Sequence, residues 1–240
     1  MMPFFLDPTI VLLIPALLFA MWAQWKVSST YKQYSQVTVR SGMTGAKVAA
    51  AILRDADIPL TDDPENSKGL ACGLEMTQGQ LTDHYDPTKR ILRLSEGVYQ
   101  GRNVAALGVA AHEVGHAIQH KDGYAPLMLR NVAYPVSNFG STLAFPLFLG
   151  GLFIPAVSVL MHIGIMLFTL AVFFTVITLP VEFNASSRAL AALSEGGYVN
   201  EEELAGVKKV LNAAAMTYVA SAAMAALQLI RMILIAQARN

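Results

Sequence analysis

The sequence predicts a mainly α-helical chain with a small β-sheet: a polytopic membrane protein with about four transmembrane helices and one soluble segment. Three observations carry this. Apolar residues fill 54% of the 240 positions and charged residues only 14%, against about 45–50% and about 25% in ordinary soluble domains. Long stretches hold no Asp, Glu, Lys or Arg, and most Lys and Arg gather in residues 26–130. Formal net charge is zero, so no global field draws the chain to nucleic acid. Cys72 is the single cysteine. It excludes an intrachain disulfide and a cysteine-built zinc cluster, so a bound metal must use His and carboxylate ligands.

The first span is expected within residues 1–25. "PTIVLLIPALLFAMWAQW", residues 8–25, is uncharged and flanked by Phe4, Phe5, Trp22 and Trp25, as interfacial aromatic belts flank a span. A signal peptide would need basic residues before the apolar core. Here Asp7 precedes it and two tryptophans close it. Residues 131–181 contain no Asp, Glu, Lys or Arg. As one straight helix they would measure about 75 Å at ~1.5 Å per residue, far beyond a ~30 Å bilayer core. A hairpin of two spans fits, near 133–153 and 156–179, with Gly150, Gly151 and Pro155 as candidate breakers. His162 falls in the second span, where a neutral imidazole bonded to a neighbouring helix serves as well as a functional one. The stretch 210–230 is uncharged and Ala-rich, suited to a fourth span; a buried soluble helix is the plainer alternative. Lys and Arg counts put residues 26–130 in the cytoplasm and the N-terminus outside a cell membrane crossed several times. Arg231 and Arg239 weigh against four complete crossings.

In the soluble segment, "SGMTGAKVAAAILRDAD", residues 41–57, reads as a helix capped by Ser41 or Thr44, with an apolar stripe at Val48, Ala51, Ile52 and Ala56. Residues 62–69 read as a polar loop. "LTDHYDPTKRILRLS" reads as two short strands around an Asp86-Pro87 turn. From Asn103, a plausible N-cap, "NVAALGVAAHEVGHAIQHK" is helical.

That helix carries the chemistry. Residues i and i+4 face the same way, so His112 and His116 direct two imidazoles at one point. Glu113 sits one residue round, near enough to reach a water there without ligating the metal. This is the H-E-x-x-H arrangement of two ligands and a general base. Zinc lowers the pKa of bound water to ~7, and Glu113 would take the proton. Gly115 is expected to leave that face uncrowded. The motif falls in an apolar helix, where an unpaired glutamate would be expensive.

A catalytic zinc site needs a third protein ligand and an open position. His120 lies about 6 Å further along a straight helix. Asp122 follows His116 by six, but Gln119 stands where a turn-making glycine would be needed. His84 could come from the hairpin. Glu182, in "LPVEFNASSRAL", is preferred. Pro180 would open its helix, and Ala185, Ser186 and Ala189 leave one side narrow. Two crossings return the chain to the side of His112 and His116. The alternative for Glu182 is an interfacial carboxylate at a helix start.

"DHYDPTKRILRLS", "GVAAHEVGHAIQH" and "VEFNASSRAL", with the span pattern, resemble the YugP-type neutral zinc metallopeptidases of bacterial membranes. That family is similar in turn to the HtpX-like and CAAX-prenyl membrane proteases. The resemblance covers nearly the whole chain. It implies a gluzincin-like core on the cytoplasmic side, with a small sheet, an active helix and a ligand helix. In the related proteases Asp often follows the ligand Glu by four residues; here that position is Ser186.

Together these readings predict a zinc-dependent membrane endopeptidase. One Zn2+ is held by His112, His116 and Glu182; Glu113 is the base; the lipid bilayer and a protein or peptide substrate are the partners. The strand around "RILRLS" would be either a substrate-pairing edge or an ordinary core strand. Arg188 or Tyr124 would stabilise the oxyanion. The expected divisions are a first span (1–25), a protease core (26–130), a transmembrane hairpin (131–181), a ligand helix and loop (182–209), and a fourth span with the C-terminus (210–240). An inactive metal-binding scaffold and a site-2-type intramembrane protease are the rival readings. The second needs the motif inside a span and an Asp ligand from another, and 131–181 contains no Asp.

Overall fold

Seven α-helices and one three-stranded sheet make up the described residues, 8–63, 70–79 and 82–239, of a computed structural model. Phe4, Phe5, Asp7 and most of the expected 62–69 loop lie outside them. Four helical stretches are long and apolar enough to cross a membrane: Pro8–Tyr34, Ala125–Phe153, Val159–Glu195 and Glu201–Arg239. The chain divides into two units. One takes the residues through Trp25, Met128–Pro180 and those from Met216; the other takes Lys26–Leu127 and Val181–Ala215.

The first unit is built from long helices. A 3-10 stretch leads into α1 (Ile14–Tyr34). α5 (Ala125–Phe153) and α6 (Val159–Glu195) form the hairpin, and α7 (Glu201–Arg239) supplies the fourth candidate span. Leu17, Leu18, Met21, Trp22, Phe139, Phe173 and Val176 are exposed, the pattern of helices solvated by lipid. His162 is exposed as well. A small interior collects Phe148, Leu152, Met161, Met232 and Ile235. The break between α5 and α6 is at Ile154–Ser158, with a 3-10 turn at Pro155–Val157. Pro155 therefore ends the first helix of the hairpin as expected, but Gly150 and Gly151 do not. Gly151 is inside α5, where a Cβ would collide with the Met161 backbone. Its lack of a side chain lets the hairpin close rather than bend. Pro180 also departs from expectation. It lies within α6, which continues from the apolar stretch through Glu182 to Glu195. A proline ring kinks a helix but does not prevent it where the freed carbonyl finds other partners.

The second unit holds α2 (Gly45–Asp55), β1 (Gly73–Thr77), β2 (His84–Asp86), β3 (Ile91–Ser95), the single turn α3 (Glu96–Tyr99) and α4 (Val104–Lys121). Thr44, rather than Ser41, caps α2, accepting from the Lys47 amide at 3.2 Å. Val48, Ala51 and Ile52 are buried as the stripe requires, and Ala56 is the half-buried C-cap. β2 and β3 form the expected antiparallel hairpin, turned by Asp86, whose Oδ1 accepts from the Thr88 and Lys89 amides. The sheet order is β1-β3-β2, with β1 parallel to β3. β3 is thus the central strand, paired on both sides, and Ile91, Leu92 and Leu94 are buried. A substrate backbone has no free edge there, so the edge-strand reading of "RILRLS" is corrected: it is a core strand. β1 was not anticipated. "GLEMT" has only Thr77 as a β-branched residue, and pairing with β3 supplies what local propensity lacks.

Asn103 caps α4, its Oδ1 2.9 Å from the Ala106 amide. The helix is buried along most of its length, packed among α2, the sheet and the final turns of α6. Those turns present Val181, Ala185, Ala189 and Leu193 at four-residue intervals, all essentially inaccessible. They form one face directed inward.

Candidate metal centre

His112 and His116 lie one turn apart on α4, their rings 4.9 Å apart and nearly perpendicular. Glu182 comes from α6. Its Oε2 is 3.2 Å from His112 Nε2 and 3.7 Å from His116 Nε2. One ligand atom from each of the three residues lies within 4.8 Å of the other two. The Glu182 and His116 side chains are buried and that of His112 is nearly so. Two imidazole nitrogens and a carboxylate oxygen converging from largely buried side chains match the donor set and number of an open zinc site, so the residues present fit that ion.

Gly115 brings the two helices together. A Cβ placed there would lie 2.5 Å from the Ala185 carbonyl oxygen. The glycine does not leave an uncrowded face, as expected from sequence; α6 fills that face. Small residues on both helices thus set the reach of Glu182 to the imidazoles.

The other nitrogen of each imidazole is also held. His112 Nδ1 is 3.1 Å from Ser186 Oγ, and His116 Nδ1 is 3.0 Å from Gln119 Oε1. Such outer partners fix ring orientation. Ser186 does so with a hydroxyl. Gln119 had signalled only a missing glycine.

Glu113 is half-buried on the same helix, and its Oε2 accepts a hydrogen bond from the Tyr85 amide in β2 at 3.1 Å. Burial pushes its carboxyl above the ordinary carboxylate range. His112 opposes that push, and the Glu182 and Asp83 charges add to it. A carboxyl shifted upward holds a proton more readily than an exposed one, which favours proton transfer. Tyr85 also bonds His120: its hydroxyl is 2.8 Å from Nδ1.

The remaining ligand candidates go elsewhere. His120 is occupied by Tyr85, and Asp122 is the C-cap of α4 and pairs with Arg188 at 2.5 Å. His84 is exposed, with Nδ1 2.8 Å from the Thr82 carbonyl. Arg188 also donates from Nε to Asn184 Oδ1 at 2.8 Å. Tyr124 follows α4, its amide bonded to the Gln119 carbonyl.

A mainly helical chain with four candidate spans and a His-His-Glu cluster has the features of a membrane metallopeptidase. Residues 9–237 match the family described as "Putative neutral zinc metallopeptidase", and the chain belongs to that family. It is 49% identical over 227 residues to the "Putative membrane protease YugP" of Bacillus subtilis (strain 168), covering 94% of this chain and 95% of that one. No solved structure matches it.

Proposed function

We propose that this protein is a membrane-embedded zinc endopeptidase, with His112, His116 and Glu182 as metal ligands and Glu113 as general base. The observation that supports it most is the convergence of the three ligand atoms within 4.8 Å, from residues up to seventy positions apart in sequence. A zinc ion held there supplies Lewis acidity toward water and toward a peptide carbonyl. Glu113 removes a proton from the attacking water and delivers it to the leaving amine. The Tyr85 amide orients the Glu113 carboxylate for that transfer. Residues 26–130 and 182–209 make a gluzincin-like core on the cytoplasmic side. The first, second, third and fourth spans anchor it, with the N-terminus outside; substrates are proteins or peptides that reach the membrane surface.

The test uses the purified full chain in detergent, with zinc content and hydrolysis of an unfolded protein measured together. Glu113→Gln retains zinc and loses about 10²–10⁴-fold in turnover, the usual worth of a general base. Glu182→Ala loses most of its zinc. Equal turnover by wild type and Glu113→Gln overturns the peptidase reading. A wild type that holds zinc without hydrolysing anything favours a metal-binding scaffold.

A further inference from the structure

We propose that Gln119 decides which nitrogen of His116 carries its proton, and that Asn184 and Arg188 hold Gln119 in the orientation that does so. The inference rests on the metal reading above. An amide side chain is ambiguous by itself, because its oxygen and nitrogen ends are nearly the same shape. Here its neighbours remove the ambiguity. A guanidinium only donates. Arg188 is anchored through Nη1 to Asp122 Oδ2 at 2.5 Å and donates through Nε to Asn184 at 2.8 Å. Asn184 must therefore face it with Oδ1, an acceptor. The same Oδ1 is 2.9 Å from Gln119, which must answer with Nε2. The second Nε2 hydrogen goes to the Val181 carbonyl at 2.8 Å.

Both amide hydrogens are then spent, and Oε1 is left 3.0 Å from His116 Nδ1. An acceptor at that place requires Nδ1–H. A neutral imidazole has one such proton, so Nε2 carries the lone pair. Nε2 is the atom aimed at Glu182. The direction of donation is thus dictated step by step from an ion pair at the end of α4 to the imidazole. Gln119 is fully buried, so solvent cannot take the place of the partners it meets directly. His112 lacks the equivalent. Its Nδ1 meets the Ser186 hydroxyl at 3.1 Å, which donates or accepts equally well. One imidazole is locked and the other adjusts. Gln119 is a positioning residue: it acts on the metal only through His116.

The experiment measures Zn2+ affinity of the full chain in detergent by chelator competition. It also records the absorption spectrum of the Co2+-substituted protein, which reads ligand geometry, and thermal unfolding of the metal-free protein. Gln119→Met fills the same space without donors. It weakens Zn2+ binding about 10–100-fold, the usual loss when a ligand's outer partner is removed, and alters the Co2+ spectrum. Asn184→Asp still accepts from both Gln119 and Arg188, so it keeps Zn2+ affinity within about threefold and the wild-type spectrum, whereas Asn184→Leu behaves like Gln119→Met. A purely structural role would lower the metal-free unfolding temperature and leave the spectrum of the loaded protein unchanged. If Gln119→Met binds Zn2+ like the wild type, or if Asn184→Asp loses as much as Asn184→Leu, the inference is overturned. A wild type that takes up no stoichiometric Zn2+ or Co2+ overturns the metal reading itself, and this inference with it.

Discussion

Gly115→Ala tests whether the close approach of α4 and α6 builds the proposed metal centre. The added Cβ would stand 2.5 Å from the Ala185 carbonyl oxygen, and ordinary contact begins at 3.4 Å, so the helices must separate by about 0.9 Å. The obstacle is helix backbone, with no flexible side chain to swing aside. Overpacking of this kind costs about 1–3 kcal/mol, while alanine recovers about 1 kcal/mol of helix propensity over glycine. The net loss of fold stability is therefore small, about 0–2 kcal/mol. The site is less forgiving, because productive geometry tolerates only about 0.5 Å of displacement. Glu182 shares a turn of α6 with Ala185 and moves with it. Zinc affinity is expected to fall at least about tenfold, comparable to losing a ligand's supporting contact, while the metal-free protein unfolds near the wild-type temperature. Chelator competition and thermal unfolding in detergent measure the two quantities. Gly97→Ala is the control, since a Cβ there meets nothing within 4 Å. Wild-type zinc affinity in Gly115→Ala would refute the idea that this contact sets the Glu182–imidazole distance.

Three further outcomes are expected. Asn103→Ala removes the side-chain cap of α4 and should lower stability by about 1 kcal/mol, read by chemical or thermal unfolding. Burial pushes the Cys72 thiol up to about 11. Iodoacetamide at pH 8 should therefore label the unfolded but not the folded chain. Because the folded value is the higher one, stability falls as pH rises from the ordinary thiol range through about 11, and Cys72→Ala should lack that decline. Burial tends to raise the Asp86 carboxyl, but the Lys89 and Thr88 amides and Arg93 outweigh it and hold it below the usual range. Its stabilisation is present above the ordinary carboxylate pKa and is lost as pH falls through the folded one. Asp86→Asn should melt below wild type at pH 7, with the gap closing in acid; a constant gap would exclude the charge as its cause.

What was legible in the sequence was what short-range rules govern. The Asn103 cap, the His112–His116 pair and the β2–β3 turn each depend on residues within a few positions, and each is found where the spacing puts it. Glu182 was expected from a count of candidate spans, and the structure brings it beside the imidazoles; the sidedness that count assumes belongs to the proposal. The detail around it was not reachable. Pro180 looked like a helix start because a proline removes a donor, yet α6 runs through it, and tertiary packing decides such cases. β1 owes its existence to β3 rather than to its own side chains. Gly115 was visible only as a small residue, since nothing local says that the backbone of residue 185 will press against it.

The hydrogen-bond partners of His112 and His116 were the least accessible feature, for a physical reason. Ser186 meets His112 across 74 positions, and Gln119 meets Asn184 across 65. Glutamine next to a histidine motif carries no signal until its surroundings are known, because the amide serves equally as donor or acceptor. Its role is determined by Arg188 and the Val181 carbonyl, groups of fixed polarity on the other helix. The same register of α6 against α4 therefore does two things. It carries Glu182 to the imidazoles, and it sets the polarity of the bonds that hold one of them. A change that slides α6 by a turn would lose both together, whereas Gln119→Met loses only the second. That difference separates the placing of a ligand from its orientation.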